Sequence, residues 1–324
     1  MARQGEGKGW SLGIDTSNYK TSVAIVDAEG QILADARRFL QVRDGERGLR
    51  QSEAFFQHIQ QLPNLLTEAL SQAQSVDPDG KVVAISVSDR PRPVEQSYMP
   101  VFTAGVRMAQ CFALGAESAP LQTFSHQEGH VRAAIYETDL LPTNRFLALH
   151  FSGGTTEAVI WDGGKISIVG GTKDLAFGQV LDRTGVALGL AFPAGEALDQ
   201  MALAAGPVKG NFLPPVHAKE GTIHLSGIES ACAREIEKGI RPEILIPMLF
   251  QRLGGAMMEL VLDLVAQTGC QDVLFAGGVS SSQYLRAYIE EHAKGRFRPV
   301  FGRRTLASDN AVGIALLGGE GLWP

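Results

Sequence analysis

Cysteine is scarce in this chain: three among 324 residues, at Cys111, Cys232 and Cys270. They are odd in number, far apart and in no CxxC pair. That excludes a disulfide framework and a thiolate zinc site, and it suits a reducing, cytoplasmic setting. An excess of basic charge is also missing. Lys and Arg number 29 against 35 Asp and Glu, a net charge of −6. An RNA site is therefore either a local patch or shared with a partner protein. No apolar run approaches the ~18 residues that cross a bilayer, and the opening MARQGEGKGW lacks the apolar centre of a signal peptide. No membrane role is expected. What remains is an ordinary globular mixture, 44% hydrophobic and 20% charged, long enough for about two domains.

The stretch FSGGTTEAVIWDGG (151–164) reads as strand, tight glycine turn and strand. Glycines there let the backbone turn and come close to a ligand. The hydroxyls and free N–H groups of Ser152, Gly153, Gly154 and Thr155 suit a phosphate, although a plain turn reads the same way. A second copy exists. Shifting the chain by 135 residues lays Leu12 on Leu147, Ser17 on Ser152, Thr21 on Thr156, Ile25 on Ile160 and Asp27 on Asp162 without a gap. Both copies open with an antiparallel three-stranded meander. Two similar α/β domains follow, 1–140 and 141–324, with 137–145 as linker.

Beyond the meanders, helical apolar spacing marks 52–73, with a kink or break at Pro63, and then 100–115, 178–190, 196–205, 228–238, 242–268, 281–293 and 310–318. Strands are expected at 81–88, 121–125, 272–278 and RPVFG.

SHQEGHVRAAIY places His126 and His130 one helical turn apart, a spacing that lets both imidazoles reach one ion, or that leaves two exposed histidines with no such role. A carboxylate is the usual third ligand. Asp309, in ASDNAVGIAL, offers one, with a helix cap as its other reading.

Two hydroxyl–glycine hairpins on facing domains, with FAGGVSSS (275–282) as an adenosine turn built on Gly277 and Gly278, resemble the superfamily of actin, hexokinase and the seventy-kilodalton heat-shock proteins. That resemblance implies a two-domain actin-like ATPase fold with duplicated βββαβα cores. More closely, HxEGH, the SGG hairpin, DLAFGQVLDRTGVALGLAFPAGEALDQMA (174–202), AGGVS and SDNAVGIA occur in the order of the TsaD family, the tRNA threonylcarbamoyladenosine synthase subunit formerly called a glycoprotease. The resemblance implies His126, His130 and Asp309 as ligands of one divalent metal, iron or zinc. It implies the 151–155 loop, Asp182, Gly195 and Ser282 as contacts of an adenine nucleotide, either ATP or the acyl-adenylate. Ser17 of the first loop joins that group, and Asp182 has a buried cap or ion pair as its other reading. tRNA and protein partner subunits are the implied partners, and a dimer is allowed.

Several family positions are altered. The acidic part of the first loop is replaced by Asn18, Tyr19 and Lys20 in DTSNYKT, where Lys20 can hold a phosphate directly. The GPGL segment is replaced by SVSDRPRPVEQSYMPVF, the histidine of SGGHT is Thr155, the adenosine-contact Asn is Ser282, and the Glu of a GE pair is Gln179. Arg37, Arg38, Arg43, Arg47 and Arg50 form a basic stretch that either binds RNA or is a solvated loop. The expected activity is a threonylcarbamoyl-type transfer by a divergent paralogue. A non-catalytic nucleotide-binding regulator is the alternative. A metalloprotease fits least, because Gln127 stands where HExxH needs its glutamate.

Overall fold

The computed structural model describes residues 9–17, 19–42, 49–115, 119–141, 144–206 and 208–320. Asn18, Arg43, Arg47 and residues 142–143 of the expected linker lie outside them. The chain divides into two compact units, Met1–Tyr136 with Ser308–Pro324, and Glu137–Ala307. The first boundary falls at 136/137 rather than 140/141, and the last segment joins the first unit rather than the second.

In the first unit β1 (Gly9–Thr16), β2 (Lys20–Val26) and β3 (Ile32–Phe39) form the antiparallel meander. Helix α1 (Gln51–Val76) leads to β4 (Lys81–Arg90), parallel to β1, and α2 (Phe102–Gly115) leads to β5 (Leu121–Ser125), parallel to β4. The sheet order is β3-β2-β1-β4-β5, and α3 (His126–Ala134) follows β5 directly. Trp10, Leu12, Ile14, Val23 and Ile25 of the sheet pack with Leu62, Leu65 and Ala69 of α1 into one core. Of the kink or break expected at Pro63, the break does not occur: α1 is continuous through it. Pro63 lies on the exposed face, where water can take the carbonyl that its missing N–H leaves free.

The second unit repeats the plan. β6 (Arg145–Phe151), β7 (Thr156–Asp162) and β8 (Lys165–Thr172) form the meander, followed by α4 (Phe177–Ala187), α5 (Gly195–Ala205), the short β9 (Thr222–Ile223), α6 (Ser226–Glu237) and α7 (Pro242–Thr268). Then come β10 (Asp272–Ala276), α8 (Gln283–His292) and β11 (Arg298–Phe301), in the order β11-β10-β6-β7-β8-β9. The repeat holds at the level of register: Leu12 pairs with Ile25 in the first meander and Leu147 with Ile160 in the second. Helix α7 is long and apolar enough to cross a membrane by length and composition, contrary to the reading of the sequence. Its apolar window is 67% buried within the structure, and Leu249, Phe250, Leu253 and Val261 belong to the unit's core.

The last helix, α9 (Val312–Gly319), is seated on the first sheet by small residues. A Cβ on Gly13 would stand 2.5 Å from Ala311 O, and one on Gly313 would stand 1.8 Å from Gly129 O of α3. Ser11 and Ser86 donate hydroxyl hydrogen bonds to Ala315 O (2.6 Å) and Ile314 O (2.8 Å). This close seat is why the final segment belongs with the first unit.

Candidate functional site

Helix α3 has a fixed starting point. The Ser125 hydroxyl accepts from Glu128 N (3.2 Å) while the Glu128 carboxylate accepts from Ser125 N (2.6 Å), a reciprocal capping box. His126 is therefore the first helical residue and His130 stands one turn on. Between them Gly129 lets α9 approach, and Asp309 lies three residues ahead of the first residue of α9. Asp309 does not cap α9: Ala311 stands at the cap position, and Asn310 Oδ1 accepts from Val312 N at 3.0 Å.

Three ligand-type atoms converge within the first unit. His126 Nε2 lies 2.9 Å from His130 Nε2, and Asp309 Oδ1 lies 3.2 Å from His130 Nε2 and 3.6 Å from His126 Nε2. These atoms fall within 4.8 Å of one another, a set able to hold a metal ion. On its other nitrogen, His126 Nδ1 is 2.8 Å from Asp15 Oδ1, which also accepts from the Ser88 hydroxyl at 2.6 Å. A fully buried carboxylate on Nδ1 fixes the ring's orientation and leaves Nε2 facing the cluster, the usual support of a metal-bound imidazole. Sequence reading did not single out Asp15; its position at the end of a buried strand was the available signal.

Burial opposes charge on His126, yet Asp15 and Asp309 outweigh it and push its pKa up to about 10. His130 moves the other way, held down by burial and by the His126 cation. Burial would raise Asp309, but its hydrogen bonds and attraction to the two imidazoles hold it well below the usual carboxylate range. Ser17 donates its hydroxyl to Asp309 Oδ2 (3.0 Å), and Lys20 Nζ donates to Ser308 Oγ (2.8 Å). Both first-loop residues are thus beside the cluster.

In the second unit the 152–155 loop joins β6 to β7. The Ser152 hydroxyl accepts from Gly154 N (3.3 Å) and Thr155 N (3.0 Å), so it braces its own loop. A Cβ on Gly154 would meet nothing within 4 Å, and one on Gly153 only Asp182 Oδ2 at 3.9 Å. Neither glycine is required by the packing of the loop. Asp182 Oδ1 accepts from Ala194 N (2.8 Å) ahead of Gly195, which brings 153, 182 and 195 together. The cap reading of Asp182 is thereby realised on one oxygen, and burial raises its pKa. Ser282 caps α8, accepting from Leu285 N (3.1 Å) and donating to Asp199, a residue absent from the sequence reading. Gly277 has φ +87°, and a Cβ there would meet Phe151 O at 2.4 Å, so the protein itself, and not a ligand, demands glycine. Gly278 faces open space.

The model of the TsaD family, tRNA N6-adenosine threonylcarbamoyltransferase, matches residues 44–316. A tRNA N6-adenosine threonylcarbamoyltransferase of Thermus thermophilus is 30% identical over 314 residues, covering 95% of this chain and 91% of the relative. Among solved structures, component A of the (R)-2-hydroxyglutaryl-CoA dehydratase of Acidaminococcus fermentans superposes with TM-score 0.56 at 16% identity, covering 96% of this chain and 98% of that one. A ROK-family glucokinase from Streptomyces griseus gives 0.52 at 13%, covering 97% and 100%. The two structures establish the fold, which is that of the actin-like ATPases.

Proposed function

The chain belongs to the TsaD family, and from that premise we propose that it is a metal- and nucleotide-binding acyltransferase. Its reaction is transfer of a threonylcarbamoyl-type group to an adenosine of tRNA, in the cytoplasm and with protein partners. The observation that carries the reading is the convergence of His126 Nε2, His130 Nε2 and Asp309 Oδ1, with Asp15 behind His126. This donor set fits iron or zinc. When bound, such an ion supplies Lewis acidity toward an acyl carbonyl.

The chain's own residues do the rest. Asp15 keeps His126 Nε2 aimed at the cluster, where a bound ion would take the place of its proton, and Ser17 orients the Asp309 carboxylate. In the second unit the N–H groups of the Ser152–Thr155 loop, the Asp182–Gly195 corner and open Gly278 form the proposed adenine-nucleotide site. An aromatic amine is a weak nucleophile, so positioning carries much of the rate, and an error of ~1 Å costs on the order of a hundredfold. The altered first loop and the absent GPGL segment fall at positions that align the acyl group in the family. Stand-alone turnover is therefore expected to be weak although both ligands bind.

Supplying threonylcarbamoyl-AMP, tRNA and the cognate partners to metal-loaded protein tests this, alongside rescue of a strain depleted of its own transferase. Turnover equal to that of a relative with the acidic loop would refute the weak-turnover claim. Nucleotide and metal binding with no turnover under any condition would favour the non-catalytic regulator, the reading that the lost acidic residues of the first loop support. A peptidase gains no support: the Glu128 carboxylate is engaged in capping α3.

A further inference from the structure

Lys20 is an unusual cation. It is only 8% exposed, its Nζ donates to the neutral hydroxyl of Ser308 at 2.8 Å, and the same atom sits 4.4 Å from the centre of the Phe39 ring. Among the described residues no carboxylate oxygen lies within ion-pair distance of it, although Asp35 and Asp309 are near enough to act on it through space. An ammonium carries three donors, and a buried charge without a direct counter-ion is costly. Burial accordingly lowers its pKa. Asp309 is met by Ser17 and the imidazoles, and the buried hydroxyls of Ser11 and Ser86 are met by α9. Lys20 stands out as a positive charge with donors to spare, one residue from Asp309 through Ser308.

We propose that Lys20 is an anion-capture residue: with a metal ion on His126, His130 and Asp309, its ammonium receives a small oxyanion, a carboxylate or a phosphate, belonging to the substrate. The proposal rests on the metal reading above and deepens it. Where the family's first loop presents acid, this chain presents a cation, so the site selects an anionic group beside the ion. The hydroxyl of Ser308 holds the ammonium in place until the anion arrives, and Phe39 closes one side of it.

Cobalt(II)-loaded protein reports anion binding through its visible absorption. Inorganic phosphate and acetate are titrated separately into wild type, Lys20→Met and Lys20→Arg, and calorimetry of the same anions is run on metal-free protein. The expected result is that Lys20→Met weakens the preferred anion about 10- to 100-fold, the scale of a charge-assisted hydrogen bond. Lys20→Arg retains part of the affinity, cobalt affinity stays unchanged, and thermal stability is equal or higher because a buried charge is gone. Preference for phosphate identifies a phosphoryl group as the anion, and preference for acetate a carboxylate. Failure of wild type to take up cobalt overturns the metal reading. Equal anion affinity in wild type and Lys20→Met, with or without cobalt, or a fall in stability with no change in anion binding, overturns the role of Lys20.

Discussion

The β1–β2 loop and the β6–β7 loop occupy the same place in the five-strand order that the two sheets share, β9 extending the second, and they are held by different means. In the first, the Ser17 carbonyl and the Thr21 hydroxyl are both met by one side chain, His58, at 2.8 and 2.9 Å. In the second, the Ser152 carbonyl and the Thr156 hydroxyl are met by backbone, Gly178 N and Phe177 N, each at 3.2 Å. The serine hydroxyls diverge too. Ser17 reaches out to Asp309, whereas Ser152 turns back onto its own amides. A duplicated scaffold thus keeps two anchor points and frees one hydroxyl in one copy only. The first loop is built to serve a neighbouring carboxylate, and the second is a self-braced turn with an open outer face.

The sharpest way to break this comparison is to remove each anchor. In Gly178→Ala the new Cβ would stand 2.5 Å from Gly153 Cα and 2.6 Å from Ser152 O, all rigid backbone. Chemical denaturation should show a loss of about 3–5 kcal/mol. His58→Ala should lose about 2–4 kcal/mol through a buried cavity and the orphaned Ser17 carbonyl, the Thr21 hydroxyl keeping its bond to Gln61 Oε1 at 2.7 Å. Burial holds the His58 pKa below its usual 6.5, so the folded ring is neutral while the unfolded chain takes up a proton first. The contribution of His58 is complete above about pH 6.5 and shrinks as pH falls below that value. A difference between wild type and His58→Ala that grows toward acid pH would contradict this.

Next in size is the histidine cluster. His126→Ala and His130→Ala should each cut zinc or iron affinity on the order of a hundredfold, leaving purified protein below one ion per chain. Asp15→Asn should cost about 10- to 100-fold through the orientation of His126. The comparison predicts no such effect from any residue of the second loop. Full metal content in both histidine variants would end the assignment.

Much of this could be read from sequence because it is periodic or local. The repeat showed in paired letters such as Leu12 and Leu147, which structure confirms as equivalent ladder positions. The i, i+4 histidines fell on a real helix. What escaped was set by distant packing. Nothing local marks Gly129 and Gly313 as the contact that fixes the α3–α9 separation. Nor does it mark Asp199 as the group that holds the start of α8. Pro63 leaves α1 unbroken because the effect of a proline depends on which face it occupies, a tertiary fact.

The glycines give a smaller, crossed effect. Gly277→Ala should lower stability by about 2–4 kcal/mol, given its positive φ and the 2.4 Å approach to Phe151 O. Gly154→Ala meets no protein atom within 4 Å and should leave stability within about 0.5 kcal/mol, while weakening adenine-nucleotide binding in calorimetry. Unaltered nucleotide affinity in Gly154→Ala would remove the second loop from the ligand site.

The smallest effect is also the most direct probe of how the two loops differ. Ser17→Ala deletes the hydroxyl that donates to Asp309 Oδ2 at 3.0 Å. The carboxylate keeps its contacts with the imidazoles but loses the bond that sets its rotation, so metal affinity should fall about tenfold, the lower end for groups behind a ligand. Stability should change little. Ser152→Ala deletes the acceptor for Gly154 N and Thr155 N, groups that are exposed and can turn to water instead. Its cost is then about 0.5–1 kcal/mol, and metal affinity should not move, because Ser152 braces only its own loop. Competitive chelator titration and thermal melts on the two variants separate these outcomes. A tenfold loss of metal affinity in Ser152→Ala, or none in Ser17→Ala, would show that the hydroxyls do not divide the work as their hydrogen bonds indicate.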